Sequence, residues 1–184
     1  MASVSWRPFK EFLHKIAERS EAKKLYVIAH SMGNRVLCNA LRELNQGRWQ
    51  GQEAVLDVVF AAPDIYREDF VRNFLPDLVG KGPRLTLYAN DEDFPLNFNQ
   101  GIFHKTPRAG QAGASLILYR GLDTVDVSKL KTGMSRGHDY AFSVSQVRQD
   151  IRLLWLERKD PLGRHLPAVH KGELTYWEIV RGVP

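Results

Sequence analysis

Apolar residues recur at helical spacing between Trp6 and Arg19, where Phe9, Phe12, Leu13 and Ile16 predict one face of an amphipathic helix. The pattern then changes period. Leu25-Tyr26-Val27-Ile28-Ala29 is a short apolar run rich in strand formers, followed by the polar, small-residue turn His30-Ser31-Met32-Gly33. Val36, Leu37, Ala40, Leu41 and Leu44 restore the helical spacing, and Asn45-Gln46-Gly47 supplies a helix stop. The same alternation continues downstream. Residues 54–62 predict a buried strand halted by Pro63-Asp64, residues 67–79 a helix closed by Gly80 and Gly82, and residues 84–89 a third strand. Residues 90–113 form a long irregular stretch in which Phe94 to Phe103 could supply a short helix. Residues 115–120 and 124–127 predict two short strands joined across Gly121, and residues 138–157 a long helix. Residues 158–184, punctuated by Pro and Gly, predict a weakly structured tail. Strands alternating with helices predict a mostly parallel sheet covered on both faces.

With 184 residues the chain has the size of one domain, spanning residues 1–184. No apolar run approaches the roughly 20 residues of a membrane span. The opening residues lack the basic-then-apolar order of a secretory signal, which predicts a cytoplasmic location. A single cysteine, Cys38, excludes a disulfide within the chain and fits a reducing compartment. The net charge is +5, yet Lys and Arg are scattered among acids, as in REDFVRNF and LERKDPLGRH. That pattern predicts a mixed solvated surface and no nucleic-acid partner. The histidines are too dispersed for a metal cluster, so no metal or organic cofactor is expected.

Chemistry concentrates between Leu25 and Leu41, LYVIAHSMGNRVLCNAL. A strand enters Ala29-His30-Ser31-Met32-Gly33 and a helix leaves it, which is the form of a nucleophile elbow with Ala in place of the first Gly. Such a turn is tight, which predicts small residues two positions before and two after the serine. It would present the Ser31 hydroxyl at the carboxyl edge of the sheet, beside free N–H groups of a helix start. The N–H of Met32 is then a candidate oxyanion donor. The competing reading makes Ser31 an ordinary helix N-cap.

A serine of ordinary pKa needs a base, and the base needs an orienting acid. Among six histidines, His138 in Arg136-Gly137-His138-Asp139-Tyr140 follows the last predicted strand and precedes the final helix, where the base of this arrangement belongs. His30 would face away from a standard turn. For the acid, the loop after the third strand reads Tyr88-Ala89-Asn90-Asp91-Glu92-Asp93-Phe94. Asp93 is the first choice and Asp91 the alternate. Asp64, after the preceding strand, is a third candidate that could instead cap a turn.

IAHSMGNRVL, FAAPDI, RLTLYANDEDFPL, PRAG, LDTVDVS and GHDYAF, in that order, resemble a widespread, functionally uncharacterised family of bacterial α/β-hydrolases of esterase- or lipase-like character. The resemblance covers roughly residues 25–156. It implies Ser31 as nucleophile, Asp93 as acid and His138 as base, acting on a small-molecule ester-like substrate. It assigns no role to Arg108-Ala109-Gly110. Relatives carry an earlier portion with further strands and a His-Gly loop that supplies a second oxyanion donor. The resemblance therefore implies an α/β-hydrolase sheet truncated on its N-terminal side, with one side of the nucleophile strand unpaired and open to self-association. Removing one oxyanion donor typically costs about 10²–10³ in turnover, so a second reading is a hydrolase-fold remnant acting as a binding or assembly module.

Overall fold

The computed structural model describes residues 2–19, 22–47, 49, 52–92, 106–130 and 138–181. In chain order its principal elements are α1 (Ala2–Arg19), β1 (Leu25–His30), α2 (Gly33–Asn45), β2 (Val55–Ala61), α3 (Arg67–Asp69), a π-helical turn (Phe70–Phe74), α4 (Leu75–Leu78), β3 (Arg84–Ala89), β4 (Leu122–Asp126), α5 (Tyr140–Ser143), α6 (Ser145–Leu156), β5 (Ala168–Lys171) and β6 (Leu174–Glu178). Among the described residues the strands form one sheet in the order β1-β2-β3-β4-β6-β5. All neighbours are parallel except β5 and β6, which form an antiparallel hairpin. The expected mostly parallel α/β sheet is the fold of this chain.

Strand periodicity divides the core between the two faces. Val58, Phe60, Leu85 and Leu87 point into one cluster with Leu13 of α1 and with Leu37, Cys38, Leu41 and Leu44 of α2. Val59, Ala61, Tyr88 and Val125 point into the other, with Tyr140 of α5 and with Val147, Ile151 and Leu154 of α6. A strand buried on both faces is apolar along nearly all its length, as β2 is at every position but Asp57. Its one carboxylate, Asp57, is buried and held by Arg84 (2.7 Å) and by Arg158, tying the segment after α6 to the sheet.

Four expectations are corrected. Residues 115–120 are not a strand: Leu122 N–H closes a turn on the Tyr119 carbonyl, Gly121 takes φ +88°, and the Ile117 carbonyl accepts a hydrogen bond from Thr124 Oγ1 instead of a ladder partner. The predicted long helix is broken at Val144, whose extended backbone (φ −98°, ψ 121°) separates α5 from α6. The weakly structured tail expected over residues 158–184 is ordered at residues 168–178, where β5 and β6 extend the sheet and β6 lies beside β4. On α1, the buried positions are Leu13 and Ala17, whereas Phe12 is exposed. The helix predicted within residues 94–103 lies outside the described residues. The helix predicted over 67–79 passes through a π turn just before Pro76, which has no N–H to return to the Arg72 carbonyl.

Cys38 is fully buried, and burial pushes its thiol far above the ordinary range, with the charge of Asp69 acting in the same direction. The thiol therefore stays protonated at pH 8, and the native chain is expected to resist a disulfide reagent such as DTNB. The unfolded chain should react to completion. Rapid modification of the native protein would contradict this packing.

Candidate active site

The parallel register aligns the strand ends along one rim. His30 lies beside Ala61, Ala61 beside Tyr88, Ala89 beside Asp126, and Asp126 beside Glu178. Ser31 follows β1, Asp64 follows β2, Asp91 follows β3 and His138 lies after β4, so four of the predicted groups share the carboxyl side of the sheet.

Ser31 has φ +54°, the left-handed region that costs a residue with a Cβ about 1–2 kcal/mol. The bend is held from both sides. Ser31 N–H donates to the Ala61 carbonyl (3.1 Å), and the Ser31 carbonyl accepts from Asn34 N–H (3.2 Å) and Asp64 N–H (3.2 Å). Asn34, fully buried, adds its side chain: Nδ2 donates to the carbonyls of Ser31 (3.0 Å) and Ala61 (3.1 Å). The sequence pattern does not single out Asn34, whose bond to the Ala61 carbonyl joins positions 27 apart in the chain.

The N-cap reading of Ser31 does not hold. α2 begins at Gly33 with Met32 in the capping position, and no side chain caps it. Met32 is 58% exposed and has helical backbone angles, so its N–H belongs to the open first turn of α2. The steric reason expected for Gly33 is also absent, since a Cβ built there meets nothing within 4 Å. Strain in this elbow resides in Ser31 itself.

His30 does not simply turn away. Its Nε2 donates to the His138 carbonyl (2.7 Å), which fixes the proton on that nitrogen. The two imidazole centroids are 4.8 Å apart, and the Phe142 ring stands edge-on to His30 at 5.4 Å. The residue before the serine thus clasps the candidate base, joining positions separated by more than a hundred residues. Two residues beyond His138, the buried Tyr140 hydroxyl donates to the Tyr88 carbonyl (2.6 Å) and accepts from Ala62 N–H (3.0 Å). Ala62, itself at φ +44°, is thereby tied to the end of β3 and to α5. Tyr140→Phe should leave a buried N–H and carbonyl unserved and cost about 1–3 kcal/mol, read as a lowered denaturation midpoint.

The acid candidates differ in their surroundings. Asp93, the first choice, lies outside the described residues. Asp91 is exposed, and its N–H donates to Ser128 Oγ (2.9 Å), while that hydroxyl donates to the Asp126 carboxylate. Burial raises the Asp126 pKa, and its hydrogen bonds from Ser128 oppose the rise. The LDTVDVS motif therefore pins the loop that follows β3. Asp64 pairs through its carboxylate with Arg108 (3.3 Å) and through its carbonyl with Arg35 Nε (2.6 Å). Arg108 also stacks over Tyr66, 4.0 Å from the ring centroid.

Arg108-Ala109-Gly110, which the sequence left without a role, joins two strand ends. Ala109 N–H donates to the Ile65 carbonyl (2.9 Å) and Gly110 N–H to the Pro63 carbonyl (3.1 Å), while the Gly110 carbonyl accepts from Asn90 N–H (3.0 Å). The loops after β2 and β3 are knitted together by this segment. Among the described residues no group of three His, Cys, Asp or Glu side chains could hold a metal ion, and no helix is long and apolar enough to cross a membrane.

No curated protein and no solved structure matches the chain significantly. The family described as alpha/beta hydrolase of unknown function (DUF900) matches residues 1–155. With a mostly parallel sheet, helices on both faces and a strained strand-to-helix bend at its carboxyl rim, the chain belongs to this family of α/β-hydrolases.

Proposed function

We propose that the protein is a serine hydrolase that cleaves an ester, thioester or amide bond through an acyl-enzyme. Ser31 Oγ attacks the carbonyl carbon as His138 takes its proton, and the Met32 N–H steadies the oxyanion. The bond to the leaving group then breaks, His138 returns the proton to that group, and water releases the acyl chain by the same path. Asp93 orients the imidazole, with Asp91 and Asp64 as alternates. The chemistry calls for no metal or organic cofactor.

The observation that carries this reading is the left-handed Ser31 at a strand-to-helix bend, clasped through His30 to the segment bearing His138. A fluorophosphonate probe tests it. Labelling should map to Ser31 by peptide mass spectrometry and slow by about 10²-fold or more in His138→Ala. A chain that is folded by circular dichroism yet never labels overturns the reading.

That second outcome would favour an assembly module. The feature that supports it is the edge position of β1, all six residues of which are only half-buried. Pairing of two copies along that edge would then appear as a dimer in light scattering.

A further inference from the structure

Two guanidinium groups flank the bend at Ser31, on the side of the loop that follows β2. Arg35 lies in the first turn of α2, where side chains lean back toward the helix start and so toward the rim of the sheet. Its Nε donates to the Asp64 carbonyl (2.6 Å), and Asp64 N–H in turn donates to the Ser31 carbonyl (3.2 Å). Only the Asp64 backbone stands between the two, which holds Arg35 Nε within roughly 10 Å of the Ser31 carbonyl. Arg108 reaches the same place from a distant segment. Its guanidinium carbon lies 4.0 Å from the centroid of the Tyr66 ring, and that of Arg35 lies 5.8 Å from it. Tyr66 is 45% exposed, so the ring and the cations over it belong to the surface of the rim.

Asp64 balances only one of the two cations. Its carboxylate lies 3.3 Å from Arg108 Nη1, whereas Arg35 receives only the uncharged Asp64 carbonyl. Among the described residues nothing accepts a hydrogen bond from Arg35 Nη1 or Nη2, or from Arg108 Nε or Nη2. Arg108 Nη1, turned toward Asp64, is sealed from solvent, and those other nitrogens are not. The Arg108 side chain keeps 23% of its surface exposed, and Arg35 is half-buried. Bracing the loop after β2 needs only Arg35 Nε and Arg108 Nη1, so each guanidinium has donors left over that face outward. The stack on Tyr66 and the bond to Asp64 hold both groups in place before any ligand arrives, which lowers the entropy lost on closing over one. Planar, charged N–H edges of this kind match the oxygens of a carboxylate or a phosphate.

We propose that Arg35 and Arg108 form an anion subsite of the Ser31 centre, and that the substrate is an ester-like molecule carrying a carboxylate or phosphate away from its scissile carbonyl. This rests on the serine-hydrolase reading and gives it a substrate class. The charged group seats on the outward edges of the two guanidinium groups beside Tyr66 while the carbonyl lies at Ser31. A wholly uncharged ester would leave both cations unmatched and would gain nothing from this side of the rim.

Fluorophosphonates that differ only at the far end of their linker test the subsite, one ending in a carboxylate, one in a phosphate monoester and one in an uncharged carboxamide. The rate at which each labels Ser31 in the full chain is measured. At least one charged probe should label about 10-fold faster than the carboxamide, and which one does so tells carboxylate from phosphate. Dividing the charged-probe rate by the carboxamide rate cancels any loss of folded or reactive protein in a variant. That quotient should fall by about 3-fold or more in Arg35→Gln and in Arg108→Gln. It should keep its wild-type value in Arg152→Gln, which removes an exposed cation from α6 and so controls for the charge of the whole chain. Equal labelling by all the probes, a preference that survives in Arg35→Gln or Arg108→Gln, or one that falls as far in Arg152→Gln overturns the anion subsite and leaves the nucleophile standing. Absence of Ser31 labelling by every probe overturns the serine-hydrolase reading itself, and the subsite with it.

Discussion

Ser31→Ala is expected to reduce turnover of an activated ester by about four to six orders of magnitude while leaving the chain folded. The fold survives because the bend is held through the Ser31 backbone, by Ala61, Asn34 and Asp64. Alanine removes the hydroxyl but inherits the left-handed backbone and its cost. Ser31→Gly should be equally inactive, yet more stable than Ser31→Ala by about 1 kcal/mol, because glycine adopts φ +54° without penalty. Parallel thermal melts and ester assays of the two variants separate the chemical role of the hydroxyl from the strain of its setting. Measurable wild-type turnover in Ser31→Ala would remove this serine from the reaction.

Asp150→Ala is expected to cost about 3–5 kcal/mol, the largest stability loss among the substitutions considered. Arg164 would be left buried with its charge uncompensated, and Tyr88 would lose the acceptor of its hydroxyl. Burial already raises the pKa of Asp150 against the opposing pull of Arg164, so this ion pair sits where desolvation is severe. For a chain of this size the loss corresponds to a Tm lower by roughly 10 °C or more. Replacing both partners, as Asp150→Leu with Arg164→Met, should recover most of it, because neither then leaves a charge stranded. If the single and double variants melt together, the pair is not the electrostatic unit described.

The centre of the sheet was legible because β2 and β3 are buried on both faces. The predicted bounds of β3, Arg84–Ala89, are the observed ones, and those of β1 and β2 agree within a residue or so, since short, mainly apolar runs bounded by polar turn residues leave few other assignments. The bend at Ser31 was legible for a similar reason: strand, small polar turn and helix succeed one another within a few residues. Local pattern could not tell that residues 116–119 pass without a ladder, because that depends on where the Thr124 hydroxyl lands. The hairpin of β5 and β6 did carry a signal. Lys171-Gly172-Glu173-Leu174 is a two-residue turn with glycine at its first central position, and Gly172 has φ +63°. Pro and Gly read as a weakly structured tail there because the flanking strands are short and half-exposed. Neither Asn34 nor the clasp between His30 and His138 was legible as such. Each depends on which chain segments the fold juxtaposes, and periodicity carries no such information.

Among the described residues β1 is the outermost strand on its side of the sheet, whereas the opposite rim ends in the short hairpin strand β5 with its exposed Lys171. The hydroxyl-bearing bend therefore hangs from an outer rail of the scaffold, steadied inward by Ala61 and forward by the His30 clasp. A guest strand laid along that outer flank would pair with the same strand whose end sets the hydroxyl, so docking at the rim is expected to bear on the poise of the serine.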